Sequence, residues 1–272
     1  MASTAQVRVT KHYATGRFGQ VHYRRAAPPI AAAKPALLLF HMSPLSGRIY
    51  EKFLGVMGGH RLSIAPDTPG FGDSDLPASP PTIEDYAAAM GDMMDDLKLR
   101  QVDVMGYHTG AETCVALALA RPHQVRKLIL VSAPIFTADE LKSFRAHYAH
   151  EEINEDGAHL VRKWKGHLHW AGPGWTKELV AQQFPDALRN PLTSWWGHNA
   201  AFGYDMAGAL AKVTQPVLVL NPDDDLHTQT LRAAPLLKNG RVVHLKGWGH
   251  GFQDVRTAEA CDLVNNFLDG EG

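Results

Sequence analysis

The sequence predicts an α/β protein: one mostly parallel, eight-stranded sheet flanked by helices, interrupted by an insertion with no clear strand. Three observations predict it. Short apolar runs alternate with helix-period segments along most of the chain. The alternation stops over residues 134–205 and resumes at Pro216. A strand also runs straight into a helix through the turn Gly106-Tyr107-His108-Thr109-Gly110.

The elements follow in order. Two strands are expected at Gln6–Ala14 and Gln20–Arg25, separated by Gly16 and Gly19. The Pro- and Ala-rich stretch 26–35 is a loop, and Ala36–Phe40 is a buried strand followed by a loop rich in Ser, Pro and Gly. Arg61–Ala65 is the next strand. Thr82, with Asp85 in the first turn behind it, is placed to cap a helix that runs to about Leu99. Val102–Met105 is a strand, Thr109–Arg121 a helix and Arg126–Val131 a strand. After the insertion come the strand 216–220, a helix over Thr228–Leu237, the strand Arg241–Leu245 and a last helix over Val255–Leu268. Residues 1–133 and 206–272 therefore form the core domain and 134–205 the insertion. No internal repeat is visible.

Composition narrows the function classes. The 272 residues carry 27 Lys and Arg against 28 Asp and Glu, a formal charge of −1. A concentrated basic surface for nucleic acid or anionic lipid is not expected from that balance. The first thirty residues hold no apolar run with basic flanks, and nowhere do 18 apolar residues follow one another, so neither a signal peptide nor a membrane span is expected. The two cysteines, Cys114 and Cys261, are expected as reduced, buried thiols. Together these point to a cytoplasmic protein with a small-molecule substrate and leave homo-oligomerisation open. Histidine is the unusual residue: 15 copies, more than the 7 Tyr or 10 Phe.

The glycines of the G-x-H-x-G turn permit a tight strand-to-helix connection that lifts the central side chain above the carboxyl edge of the sheet. Backbone N–H groups at the start of the helix favour negative charge developing beside it. Other turns accompany this one: Phe40-His41-Met42-Ser43, the loop Asp67-Thr68-Pro69-Gly70-Phe71-Gly72-Asp73-Ser74, the late turn Asn221-Pro222-Asp223-Asp224, and Gly247-Trp248-Gly249-His250. In order and spacing they resemble the α/β-hydrolase family over nearly the whole chain. The resemblance implies an oxyanion hole from the N–H groups of Met42 and Thr109, a catalytic histidine at His250, an acid at Asp224, and a helical cap made by the insertion. Two positions depart from the family pattern. His108 stands where the family carries Ser, or sometimes Asp or Cys, and Met42 stands where Gly is usual.

An imidazole at the elbow has three chemical readings. His108 could attack a carbonyl and form an acyl-imidazole. It could work with His250 as a general acid–base pair without a covalent intermediate. Or the elbow could be inactive and the protein only a ligand-binding receptor. The helix N-terminus is expected to lower the His108 pKa. Asp224 is favoured by register as the partner of His250, with Asp223 and Asp225 as alternatives. Glu112, in the first helical turn, is expected to complement the helix dipole.

The expected reaction is hydrolysis of an ester, a lactone or an activated C–C bond in a small, partly apolar carbonyl compound. The alternatives are lyase, decarboxylase or cofactor-free oxygenase chemistry, or binding alone. The insertion carries five of the six tryptophans and six histidines. Trp195 and Trp196 are the expected substrate contacts, together with His41, Ser43, Tyr107 and Trp248. His167 and His169 have the spacing of a metal pair but no supporting acid or cysteine cluster, so no metal and no cofactor is expected.

Overall fold

The computed structural model describes residues 6–30, 33–150 and 152–270; residues 31 and 32 of the predicted loop lie outside them. Its eight strands are β1 (Thr10–Gly16), β2 (Gly19–Ala26), β3 (Ala36–Phe40), β4 (Ser63–Pro66), β5 (Val102–Tyr107), β6 (Val125–Val131), β7 (Val217–Pro222) and β8 (Gly240–Leu245). They lie side by side in the order β1-β2-β4-β3-β5-β6-β7-β8. β2 is antiparallel to both of its neighbours, and every pair from β4 to β8 is parallel. The central strands β3, β5 and β7 are buried at every residue, which is why they appear as unbroken apolar runs.

Helices cover both faces. On one side α2 (Ile83–Asp96), α3 (Thr109–Ala120) and α8 (Met206–Leu210) enclose a core that includes Tyr86, Met90, Met93, Val104 and Leu117. On the other, α1 (Glu51–Met57) and α11 (Thr257–Asp269) bury Phe53, Leu54, Met57 and Val264 against Leu37, Leu39 and Ile129. Between β6 and α8 the chain leaves the sheet to form α4 (Ala138–His147), α5 (Ala158–His169), α6 (Lys177–Gln183) and α7 (Trp196–Gly203). Two short helices, α9 (His227–Thr230) and α10 (Phe252–Val255), follow the turns after β7 and β8. No helix among the described residues is long and apolar enough to cross a membrane.

Differences from the sequence expectation have local causes. β1 starts at Thr10 rather than Gln6 because its pairing partner β2 ends there, Thr10 facing Arg25. Thr82 does cap α2, its side chain and that of Asp85 each bonding the other's backbone, but the helix stops at Asp96; Lys98 takes φ 55° two residues later. The expected loop after β3 contains α1, whose buried residues are adjacent (Phe53 to Met57) and give no helical stripe. The expected helix over 228–237 is only α9 followed by a 3-10 turn, since Pro235 has no N–H to extend it. Cys114 and Cys261 are buried and unbridged.

Candidate active site

β5 delivers the central residue of the elbow to the carboxyl edge of the sheet. His108 has φ 49° and ψ −115°, a strained conformation for a residue with a Cβ. Both flanking glycines are required by sterics. A Cβ on Gly106 would lie 2.1 Å from the Gly110 carbonyl oxygen, and one on Gly110 would lie 2.1 Å from that of Phe40. The His108 N–H donates to Val131 O at 3.0 Å, tying the elbow to β6. Its imidazole therefore projects above the sheet between the turns that follow β6, β7 and β8.

Two carboxylates meet it there, and their roles differ from the sequence expectation. His250 Nε2 bonds Asp225 Oδ1 at 2.8 Å, so Asp225 rather than Asp224 is its partner. Asp224 is turned inward. Its Oδ2 accepts from Tyr107 Oη at 3.0 Å and from Ser132 Oγ at 2.5 Å, and lies 3.4 Å from His108 Nε2. Its Oδ1 accepts the Leu226 N–H at 3.0 Å. Asp223, the third of the run, accepts the Gly247 N–H at 2.6 Å and so fastens the β7 turn to the β8 turn. The chain reverses direction so tightly after β7 that three adjacent acids face three different ways.

The two imidazoles sit edge to face with centroids 5.4 Å apart, and His108 Nε2 is also 3.6 Å from Asp225 Oδ1. Burial disfavours the imidazolium of His108, but Asp225 and Asp224 together outweigh it and the pKa lies above the usual histidine value. The expected lowering by the helix N-terminus is overridden by two carboxylates at closer range. Burial likewise opposes ionisation of Asp225, yet the two imidazoles hold it well below the normal carboxylate range. Asp224 is lowered in the same way, chiefly by His108 against its own burial. Burial and then Asp224 keep the Tyr107 phenol protonated far above its usual pKa, as a hydrogen-bond donor must be.

The space beside His108 is bordered by helices α4 and α7. Phe136, Phe144, Tyr148, His198 and Phe202 line it, with Ser43 and Thr109 on the sheet side. His198 stacks on Tyr148 at 4.2 Å, and burial, followed by the nearby His108, lowers its pKa to about 4. The space offers about 30 Å³ of room to the centre of a water-sized molecule, enough to hold water. From the loop between α5 and α6, the Gly172 N–H bonds the His250 carbonyl at 3.1 Å and Trp170 lies 6.4 Å from the His250 ring.

The expected substrate residues divide. Ser43 and Thr109 border the cavity, and Tyr107 stands below it, holding Asp224. Met42 turns its side chain into the core beneath β3, while its carbonyl accepts from His41 Nδ1 and the Leu45 N–H. His41 is structural: its Nε2 accepts the Thr68 N–H at 2.8 Å, joining two loops. The expected tryptophans lie elsewhere. Trp195 donates to Leu192 O and faces His150, Trp196 begins α7 without lining the cavity, and Trp248 packs on Phe252 under the Arg256 guanidinium. The aromatics that do line the cavity are phenylalanines and a tyrosine of α4, α7 and their flanks. They carry no motif, and only the α4 pair, Phe144 and Tyr148 at helical spacing, offered a periodic signal. His198 and Asp225 were visible only as members of the histidine excess and of the Asp run. Glu112 departs too. It is fully buried, among the described residues neither carboxylate oxygen has a hydrogen-bond partner, and burial pushes its pKa well above the ordinary carboxylate value, so it does not supply the negative charge expected at the helix start.

One ligand atom from each of His108, His250, Asp224 and Asp225 can be chosen so that all four lie within 4.8 Å of one another, a spacing one cation can span. His22, Asp67 and Asp73 form a second such group, but Asp67 there already takes His22, Arg24 and the N–H groups of Gly47 and Asp73. His167 packs on Phe184 and His169 on Trp170, so that pair does not converge.

The arrangement of strands, elbow and late turns has counterparts among known proteins. The chain is 30% identical over 262 residues to 2-hydroxy-6-oxo-2,4-heptadienoate hydrolase of Pseudomonas putida, covering 89% of this chain and 91% of that one. An uncharacterized protein of Mycobacterium tuberculosis is 33% identical over 131 residues, 48% of this chain but only 38% of its own length. The structure of the enol-lactonase from Burkholderia xenovorans superposes with a TM-score of 0.80 at 19% identity, over 95% of this chain and 100% of that one. A model of the alpha/beta hydrolase fold matches residues 35–257, from β3 to the start of α11 and thus through every turn described above. A chain with that elbow, that sheet order and that match belongs to the α/β-hydrolase fold family.

Proposed function

We propose that the protein hydrolyses an ester, a lactone or an activated C–C bond in a small carbonyl compound bearing a ring or short alkyl group. In this reading a water, and not a protein side chain, is the nucleophile. The observation that carries it is the pair of imidazoles 5.4 Å apart, each against its own carboxylate. His250, oriented by Asp225, removes a proton from water as the water adds to the carbonyl carbon. The N–H groups of Met42 and Thr109 receive the developing oxyanion, Thr109 doing so as the first residue of α3, where no intrahelical acceptor exists. His108, held protonated by Asp224 and Asp225, returns a proton to the leaving oxygen or carbon as the tetrahedral species collapses. The 30 Å³ beside His108 suits that water. The substrate ring occupies the space between Phe136, Phe144 and Phe202 once α4 and α7, acting as a cap, part to admit it.

The Pseudomonas relative supports the substrate class: the 2-hydroxy-6-oxo-2,4-heptadienoate of its name carries a ketone and an enol acid and belongs to the same chemical neighbourhood. The test is steady-state turnover of aryl esters, enol lactones and 6-oxo-dienoates by the native protein and by His108→Ala and His250→Ala. Each variant is expected to lower kcat about 10²–10⁴-fold with KM little changed. Retention of native kcat in His250→Ala would contradict the assignment.

A further inference from the structure

We propose that His108, His250, Asp224 and Asp225 form a binding site for one divalent cation of the zinc class, exchangeable with the protons that the same groups carry during hydrolysis. Four donor atoms converge from three turns, and they are two imidazole nitrogens and two carboxylate oxygens. His108 Nε2 lies 3.4 Å from Asp224 Oδ2 and 3.6 Å from Asp225 Oδ1, and His250 Nε2 lies 2.8 Å from Asp225 Oδ1. A tetrahedral ion with bonds of about 2.0–2.1 Å sets its ligand atoms about 3.3–3.4 Å apart, and these three separations fall on either side of that value. Two imidazoles select a borderline-soft ion of the zinc type over magnesium or calcium, which prefer oxygen alone.

Charge is the second, independent reason. Asp224 is buried and Asp225 partly buried, and among the described residues their ion pairs are with His108 and His250 only. Two other buried acids are paired with arginine, Asp67 with Arg24 and Asp103 with Arg61 and Arg126, whereas Glu112 has no ion pair among the described residues. Neither Asp224 nor Asp225 has an arginine or lysine partner among the described residues, so a dication between the imidazoles would meet both carboxylates without a competing fixed cation. The Asp224 carboxylate is fixed in place by the Tyr107 and Ser132 hydroxyls on Oδ2 and the Leu226 N–H on Oδ1, and its ligation through Oδ2 would share that oxygen with the two hydroxyls. The elbow and the β7 turn stand on strands buried at every residue, which fixes three of the four donors in place.

The loaded and the acid–base states exclude one another, because each imidazole nitrogen can hold a proton or the ion but not both. Binding is therefore measured without turnover, and it can succeed or fail independently of the hydrolytic reading. The full chain, dialysed against chelator, is titrated at neutral pH with Zn²⁺ by calorimetry and with Co²⁺ by visible absorption. One equivalent is expected, with proton release, a tetrahedral Co²⁺ spectrum and a raised Tm. Asp225→Asn and His108→Ala are expected to weaken affinity at least about tenfold, and His169→Ala, an exposed histidine elsewhere, to leave it unchanged. Should either site variant fail to fold by circular dichroism, Asp224→Asn serves in its place. No binding in the native chain, or binding that survives in the site variants and falls in His169→Ala, would overturn the proposal.

Discussion

At the scale of single residues, the site is governed by which carboxylate each imidazole faces. Asp225 serves His250 and Asp224 serves His108, and the backbone of the β7 turn enforces the division. The run Asp223-Asp224-Asp225 shows that an acid is present but carries no information about side-chain direction, which is why the partner of His250 was not legible in it. His108 was legible, because two glycines and the flanking strand and helix define an elbow whatever stands at its centre. Glu112 illustrates a group the function does not use. Burial, with Glu84 nearby, pushes its pKa well above the ordinary carboxylate value. A raised carboxyl pKa means the folded state holds a proton that the unfolded chain has lost, so stability falls as pH rises above about 4.5. Glu112→Met removes both the unpartnered oxygens and that slope. It is expected to raise unfolding free energy in urea by about 1–3 kcal/mol at neutral pH. A loss of similar size would contradict the account of this residue as an unsatisfied acid.

Whole elements show a comparable division. β3, β5, β6 and β7 were legible as apolar runs because strands buried on both faces must be apolar throughout, and α2 was legible from its capping box. The four-residue α10 and the individual bounds of α4 to α7 were not, since the insertion carries no strand–helix alternation and a four-residue helix shows no period. One contact between these helices yields a prediction. Gln183 at the end of α6 donates to Asp254 in α10 at 2.7 Å, joining the insertion to the sheet domain. Burial raises the Asp254 pKa to about 6. Its contribution is therefore fully present below about pH 4, where folded and unfolded forms are both protonated, and is lost as pH rises through about 6. Asp254→Asn keeps a hydrogen-bond acceptor without the ionisation. Thermal unfolding followed from about pH 4 to about pH 7 should show a steeper decline in the native chain than in the variant. The difference should reach about 1–3 kcal/mol. Parallel curves would exclude Asp254 as the titrating group.

Across the whole molecule, the sheet order places the turns after β5, β7 and β8 side by side, with β6 between the first two carrying Ser132. That adjacency gathers residues more than a hundred positions apart, and it could be anticipated only through resemblance to a family. The insertion then closes over the same edge, so the cavity exists only where sheet and helices meet. The account stands or falls on how the imidazole at the elbow is used. Rapid mixing with an activated aryl ester, acid quench and intact-mass analysis in the first turnovers measures it most directly. Water attack predicts turnover that depends on His108 and His250, with no acyl mass added to the chain at any quench time. An acyl adduct that maps to His108 and decays at the rate of turnover would contradict it.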